Sequence, residues 1–268
     1  MLRRKTDIVV GLTTFNTEML KISVSALARI RPRFTLIIHN DNPNVRLTAR
    51  DIRAMGYRGT LHIINSVKTR GPRAARMQII DITRRYVNDA RWIIYVDDDD
   101  ILLNVDVPDV SDMVFAVIQN ALLVNTRVSD LMMAATHPDT IMPDKINISV
   151  QQPHIGIRGT AIRIKHMTEL ADIINTDTET KLAEIDDSLA YRAPIDAMMW
   201  MALNMLMRYR HPECAPIFMD STNYIQNNID FGAVKYGRPG TTDKNHAAHL
   251  DHAMARYARV IQTAINAQ

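Results

Sequence analysis

Four consecutive aspartates, Asp97, Asp98, Asp99 and Asp100, are the part of the chain best suited to metal chemistry. They directly follow the apolar run 92–96, which is typical of a buried strand. Adjacent carboxylates repel one another, and a bound cation relieves that repulsion. Because Mg²⁺ and Mn²⁺ take oxygen ligands and bridge to substrate phosphates, the run predicts a divalent metal site. The alternative is a solvated acidic turn or a helix N-cap.

Three further polar segments follow predicted strands, at 13–16, 40–42 and 70–76. Ligands of open α/β sheets bind at the carboxyl ends of the strands, so these segments and the aspartates should converge on one crevice. The third segment is rich in arginine, whose planar fork suits phosphate oxygens. In an extended segment alternate side chains share a face, which predicts Asp97 beside Asp99 and Asp98 beside Asp100.

The elements that position these segments alternate along the first part of the chain. Strands are predicted at 8–12, 34–38, 61–64 and 92–96, and helices near 20–28, 48–55 and 72–87. This alternation is typical of an α/β fold with a central, mostly parallel sheet flanked by helices. Further along the chain we expect a helix at 110–122, strands at 131–135 and 155–164, loops at 172–193, a helix at 196–207, and a mobile loop at 227–245 before a terminal helix.

The motifs, taken in order, resemble those of the family 2 glycosyltransferases, which have the GT-A fold. The resemblance rests on residues 8–16 (IVVGLTTFN), 40–42 (NDN), 70–76 (RGPRAAR) and 95–100 (YVDDDD), the last matching the family's Asp-x-Asp motif. Their joint occurrence in order is more specific than any one of them. The resemblance implies a metal-dependent glycosyltransferase that uses Mn²⁺ or Mg²⁺ and a nucleotide-sugar donor.

The resemblance also implies roles for matching positions. Thr13, Phe15 and Asp41 are expected around the nucleobase and ribose, and Asp97 and Asp99 at the metal and diphosphate. The full expected donor-binding set within the first hundred residues is Thr13, Phe15, Asn16, Asp41, Arg70, Arg76, Asp97 and Asp98. The NDN segment replaces the family's commoner Asp-Asp-Gly, which leaves the nucleotide unassigned. A turn or capping role is the alternative for these residues.

The predicted general base is Asp196, at the start of the helix expected at 196–207. In the family, an acidic pair at a helix start deprotonates the acceptor hydroxyl. A carboxylate one turn before Trp200 could meet that hydroxyl while the indole stacks on the acceptor. An ordinary N-terminal helix carboxylate is the alternative. Rival bases are Glu184, Asp186 and Asp187.

Basic and histidine side chains near the C-terminus complete the predicted site. Histidines spaced by three lie in successive pairs on one helical face, which suits a transition metal. A GT-A enzyme often takes one metal ligand from such a histidine, so the resemblance favours His246, followed by His249. An exposed helical turn is the alternative. The diphosphate clamp predicted in the preceding loop consists of Lys235, Arg238 and Lys244.

Composition restricts the class of protein. The 268 residues are 47% hydrophobic, which is enough for a substantial core. No run approaches the roughly 20 apolar residues that span a bilayer, so we expect a cytoplasmic protein without an integral membrane segment. The single cysteine, Cys214, excludes an internal disulfide. The net charge of +3 comes with arginine in bursts, which suits a diphosphate or a nucleic acid.

The expected reaction is attack by an acceptor hydroxyl on the anomeric carbon of a nucleotide sugar. The resemblance implies that the displacement is direct and inverting, with Asp196 as base. Residues 1–105 are expected to bind the donor, 106–230 the acceptor, and 231–268 to close over the donor site. The sequence does not identify the acceptor, and a modified DNA base and a glycan are two candidates. Two alternatives are a nucleotidyltransferase with a similar sheet and a non-catalytic nucleic-acid-binding protein.

Overall fold

The computed structural model describes residues 7–31, 34–125, 147–150, 156–176, 195–227, 255, 258, 259 and 261–263. At 123–125, 147–150, 176 and 195–197 it describes the backbone alone. The elements in chain order are β1 (Ile8–Thr14), α1 (Leu20–Leu27), β2 (Thr35–Asn40), α2 (Ala49–Ala54), β3 (Thr60–Asn65), α3 (Pro72–Tyr86), β4 (Trp92–Asp97), β5 (Ile101–Leu102), β6 (Val114–Asn125), β7 (Asn147–Val150), β8 (Ala161–Arg163), α4 (Ile164–Thr176), α5 (Ile195–Arg210) and β9 (Ala215–Asn227).

The first four strands form the parallel part of one sheet. Their spatial order is β3, β2, β1, β4, and each neighbouring pair is parallel. The helices α1, α2 and α3 connect consecutive strands. Strands β1 and β2 are buried at every position, and strands covered on both faces have almost continuously apolar sequences. The four strands and three helices predicted for this region are confirmed.

The remaining strands make the sheet mixed. Strand β8 pairs antiparallel with both β4 and β6. Strand β6 pairs parallel with β9, and β9 pairs antiparallel with β5. Strand β7 adds a further antiparallel pairing with β6. The α/β class with flanking helices is confirmed, but the prediction of a mostly parallel sheet is wrong for this half of the molecule.

The segment predicted to be a helix at 110–122 forms the long strand β6 instead. Phe115, Ala116, Val117 and Ile118 are all buried, and they divide between the two hydrophobic cores, so both faces of this part of β6 are covered. A strand buried on both faces is apolar throughout, and periodicity alone does not distinguish it from a buried helix.

The other predictions for the second half are met in part. The strand predicted at 155–164 is reduced to β8, and the loops predicted at 172–193 begin inside α4. The predicted helix at 196–207 is confirmed as α5, and β9 was not predicted. The strand predicted at 131–135 and nearly all of the loop predicted at 227–245 lie outside the described residues.

Two hydrophobic cores lie on opposite faces of the sheet. Val9 and Ile93 belong to the core that contains α3, α4 and α5. Val10 and Ile94 belong to the core that contains α1 and α2. Adjacent residues of one strand point to opposite faces, so the two layers of helices are held by alternate positions of the same strands. Among the described residues, no helix is both long and apolar enough to cross a membrane.

Candidate functional site

The aspartates lie where the direction of the chain connections reverses. From β1 the chain passes to β2 and β3 on one side of the sheet, and then returns to β4 on the other side of β1. Ligands of open α/β sheets bind at such a reversal, at the carboxyl ends of the strands. Thr13 of β1 is in register with Asp97 of β4, and the Thr13 hydroxyl donates a hydrogen bond of 3.0 Å to Asp97 Oδ1. The predicted convergence of these two segments is confirmed.

Asp98 holds the loop between β1 and α1. Its Oδ2 accepts hydrogen bonds from the Thr14 hydroxyl (2.7 Å), the Phe15 amide (3.1 Å) and the Asn16 amide (3.1 Å). Burial raises the pKa of Asp98 to about 6, although these three donors act in the opposite direction. Asp98 therefore shapes the loop that carries Phe15 and Asn16.

Asp97 is paired with two arginines. Arg76 Nη2 lies 2.9 Å from Asp97 Oδ1, and Arg158 Nη1 lies 3.1 Å from Asp97 Oδ2. Burial alone would raise the pKa of Asp97, but the charges of Arg76 and Arg158 outweigh it and hold the pKa below its ordinary value. Asp97 therefore carries a negative charge that protein groups already compensate. The position of Arg76 beside the aspartates agrees with the sequence prediction, whereas Arg158 was not predicted.

Asp100 is fully buried and joins β4 to the end of β9. It accepts hydrogen bonds from the Tyr224 hydroxyl, from the Asn227 amide (2.8 Å) and from Arg158 Nη1 (3.2 Å). Burial raises the pKa of Asp100 to about 7, and the charge of Arg158 limits the rise. The role of Asp100 is structural, since every one of these contacts is made inside the protein.

Asp99 differs from its three neighbours. Its side chain is half-buried, and among the described residues it has no hydrogen-bond or ion-pair partner. Burial raises the pKa of Asp99 well above its ordinary value, and the charges of Asp100, Asp98 and Asp97 raise it further, while Arg158 lowers it. Asp99 is therefore the carboxylate of the run whose charge is least compensated.

The prediction that Asp97 lies beside Asp99 and Asp98 beside Asp100, made for an extended chain, is wrong. Asp98 and Asp99 form a turn, closed by a hydrogen bond of 3.2 Å from the Asp100 amide to the Asp97 carbonyl. The turn brings Asp97 and Asp100 to the same guanidinium, that of Arg158. The buried Ser23 hydroxyl of α1 lies 2.9 Å from the Asp97 carbonyl oxygen and 2.6 Å from that of Asp100, which fixes both ends of the turn.

Asp41 lies at the same edge, after β2, and organises the start of α3. Its Oδ1 accepts from the Arg70 amide (2.9 Å), and its Oδ2 accepts from the Gly71 amide (2.8 Å). Its own amide donates to the Thr14 carbonyl (2.8 Å), so the three polar segments are in direct contact. Each carboxylate oxygen of Asp41 thus already has a backbone donor.

The chemistry of the donor set fits a hard divalent cation at Asp99, because Mg²⁺ and Mn²⁺ prefer carboxylate oxygens. Asp97 could bind such a cation only after a change in its surroundings. Both of its oxygens contact an arginine, so a cation bound there would require Arg76 or Arg158 to move. Asp99 is consequently the primary ligand candidate, and Asp97 the secondary one.

The acceptor side of the predicted site is only partly described. Asp196 is the second residue of α5, and its side chain lies outside the described part of the chain. Trp200 is 8% exposed and packs in the core, with its ring centroid 6.2 Å from that of Phe115. The predicted stacking of Trp200 on an acceptor is therefore wrong. Also outside the described residues are Glu184, Asp186, Asp187, Lys235, Arg238, Lys244, His246 and His249.

Sequence reasoning missed three residues of the site. Arg158 lies in an irregular segment just before β8, Tyr224 lies in a strand that was not predicted, and Ser23 lies on a helix where a small polar residue is common. Of these three residues, only Ser23 could have been found from the sequence. It is a polar residue between the apolar Ile22 and Val24, and all three are buried in α1.

The chain is thus an α/β protein with a partly buried cluster of aspartates and arginines at the reversal point of its sheet. No protein-family model matches the chain, and no curated protein matches it at a significant level. The assignment of a function therefore rests on the geometry of this cluster.

Proposed function

We propose that the chain is a metal-dependent glycosyltransferase that takes its sugar from a nucleotide-sugar donor. The observation that carries the proposal is the Asp99 carboxylate, which is half-buried beside three other carboxylates and has no partner among the described residues. A carboxylate in such surroundings is costly to ionise unless a cation approaches it. Its place at the reversal point of an α/β sheet is where phosphate-bearing ligands bind.

A divalent cation held by Asp99 would stabilise the negative charge that grows on the leaving diphosphate. The guanidinium groups of Arg76 and Arg158 lie at the same edge of the sheet, where they contact Asp97. Arginine forks bind phosphate oxygens as well as carboxylates. We assign to these two arginines the orientation of the diphosphate, with Asp97 holding them in place before the donor binds.

The loops around the aspartates are assigned to the nucleoside. Asp98 fixes the backbone at Phe15 and Asn16, and Asp41 fixes the backbone at Arg70 and Gly71. Both loops therefore have a defined shape without a ligand, which reduces the entropy that binding must overcome. Recognition of the base would come from groups on these loops, since the carboxylate oxygens of Asp41 are already occupied.

In the proposed reaction the acceptor hydroxyl attacks the anomeric carbon, the bond from that carbon to the diphosphate oxygen breaks, and the hydroxyl proton passes to a base. Asp196, at the start of α5, is the proposed base. Displacement in a single step inverts the configuration at the anomeric carbon. An Asp196→Asn variant is expected to bind donor normally and to lose turnover by about 100-fold or more.

The metal site is tested by thermal unfolding with a panel of nucleoside diphosphates and their sugars, with and without Mn²⁺. Ligands that bind the native state raise the melting temperature. We expect one nucleoside diphosphate with Mn²⁺ to raise the Tm of the wild type by about 3 °C or more. Asp99→Asn should abolish the Mn²⁺-dependent part of this rise. Asp81→Asn is the matched control, because Asp81 is exposed on α3 and the change in charge is the same.

Two results would refute the proposal. One is a wild type that no nucleoside diphosphate stabilises, and the other is an Asp99→Asn protein that keeps the full Mn²⁺-dependent shift in Tm.

The identity of the product distinguishes this reaction from that of a nucleotidyltransferase. Release of a nucleoside diphosphate from a nucleotide sugar supports a glycosyltransferase, whereas release of pyrophosphate from a nucleoside triphosphate supports the alternative.

A further inference from the structure

A second cluster of metal-ligating side chains lies at the opposite edge of the sheet from the aspartates. His166 and Glu169 are three residues apart in the first turns of α4, so they share one face of that helix. His211 directly follows α5, and its amide donates to the Met207 carbonyl (2.9 Å). One possible ligand atom from each residue lies within 4.8 Å of the other two.

The position of this His-Glu-His cluster, defined as His166, Glu169 and His211, follows from the strand pairing. The Ile164 amide at the start of α4 donates to the Arg91 carbonyl (3.0 Å), just before β4 begins. The aspartates follow the other end of β4. At about 3.3 Å per residue, the strand separates the two sites by roughly 16 Å. The cluster is therefore distinct from the proposed donor site.

His166 carries the strongest indication of a missing ligand. The residue is 1% exposed, and its Nε2 is buried without a hydrogen-bond partner among the described residues. Its ring and that of His211 are 4.8 Å apart between centroids, at an interplanar angle of 61°. Buried polar atoms nearly always have a partner, so an unpartnered imidazole nitrogen on a residue of this cluster points to a ligand such as a metal ion.

Glu169 already has the arrangement of a metal-binding carboxylate. Its Oε2 lies 2.7 Å from His211 Nε2, and its Oε1 accepts from Arg210 Nη1 at 3.0 Å. A metal ion can replace the proton between Glu169 and His211, while Arg210 keeps the second oxygen. Ligating carboxylates and histidines are usually held by such outer partners. On the other side of the ring, His211 Nδ1 is 3.8 Å from Glu213 Oε1.

We propose that His166, Glu169 and His211 bind a transition-metal ion, with zinc as the expected metal, and that this ion joins α4 to α5. Two imidazole nitrogens and one carboxylate oxygen are a common zinc ligand set, with water in the fourth position. Zinc binds through the neutral form of imidazole, and the burial of a histidine side chain favours that form.

The geometry requires only a small adjustment. Ligand atoms at about 2.1 Å from a tetrahedral zinc ion are roughly 3.4 Å apart. Here the ligand atoms lie within 4.8 Å of one another, so side-chain movements of about an ångström would bring them to that distance. The two helices that supply the ligands already pack together on the same face of the sheet. The ion would therefore stabilise an existing contact and would not require a new arrangement of the helices.

The test is a titration of the full-length, chelator-treated protein with Co²⁺ and then Zn²⁺. Cobalt bound to nitrogen and oxygen ligands has visible absorption bands that zinc removes when it displaces the cobalt. We expect one such site in the wild type, and a rise in Tm of about 5 °C with excess zinc. His166→Gln and His211→Gln should each weaken cobalt binding by about 10-fold or more.

Three control variants locate the metal. His62→Gln changes a half-buried histidine on β3 and should leave the cobalt spectrum unchanged. Asp99→Asn removes the primary ligand of the proposed donor site, and the double variant His246→Gln/His249→Gln removes the other histidine pair. Cobalt bands that are lost only in one of these last two proteins would overturn the inference. So would a wild type that binds no zinc at micromolar concentration, or variants of His166 and His211 that bind it normally.

Discussion

The buried carboxylate of Asp100 gives the sharpest test of the site's electrostatics. Its pKa is about 7 in the folded protein, against 3.8 for an ordinary aspartate. Folding therefore favours the protonated form. The stability that this preference provides is fully present below pH 3.8 and is lost as the pH rises through 7. Between pH 5 and pH 8 the wild type should lose about 3 kcal/mol of unfolding free energy through Asp100 alone.

Asp100→Asn removes the titrating group while it keeps the size of the side chain. The variant cannot reproduce all three hydrogen bonds from Tyr224, Asn227 and Arg158, so we expect it to be less stable than the wild type at pH 5. Because asparagine does not titrate, the gap between the two proteins should shrink by about 3 kcal/mol by pH 8.

The assay is urea unfolding of both proteins at pH 5, 6, 7 and 8, with a chelator present so that no metal compensates the carboxylates. The change in stability with pH is read from the difference between the two proteins, which cancels the contributions of titrating groups that do not interact with Asp100. Asp81→Asn changes an exposed position of α3, and its unfolding free energy should change with pH by the same amount as that of the wild type. If the difference between Asp100→Asn and wild type stays constant to within about 0.5 kcal/mol, the buried carboxylate does not titrate as argued.

Two further changes test the packing that supports the site. Thr14→Val removes one of three donors to Asp98 without changing side-chain shape, and should lower the unfolding free energy by about 1–2 kcal/mol in urea. Gly159→Ala should lower it by about 3 kcal/mol, because φ is 69° and a Cβ would lie 2.8 Å from Tyr224 Cγ. Gly56→Ala is its control, with a positive φ of 102° but no contact nearer than 3.5 Å, and should cost about 1 kcal/mol. Equal losses for the two glycines would contradict the packing argument.

The parallel half of the fold was predictable because each of its strands is short, apolar and followed by a polar turn. Pro72 and Thr48 mark helix starts by simple local chemistry, since proline suits the first helical turn and Thr48 forms a capping box with Asp51. The second half gave no comparable signals. Strand β6 is buried on both faces, so its sequence matches a helix equally well, and β9 alternates irregularly between exposed and buried positions.

In the candidate site, too, the contacts that local sequence patterns specify were predictable, and those that depend on the order of strands were not. The contact between Thr13 and Asp97 follows from the rule that ligands gather at the carboxyl ends of parallel strands. The contacts of Asp100 with Arg158 and Tyr224 join residues 58 and 124 positions apart, and Tyr224 lies in a strand that the sequence did not predict. A pairing of that kind depends on the order of strands in the sheet, and no local pattern specifies that order.

Of the four carboxylates, only that of Asp99 lacks a partner among the described residues. The sequence suggested that the whole run requires an ion, but Asp98 is satisfied by the loop after β1, and Asp97 and Asp100 share the charges of Arg76 and Arg158. If all four carboxylates are ionised, the two arginines offset half of their charge, and a divalent cation at Asp99 would offset the rest. A diphosphate adds further negative charge, which the cation alone would not balance. Donor binding therefore has to draw Arg76 or Arg158 partly away from Asp97, so metal and donor should each strengthen the binding of the other.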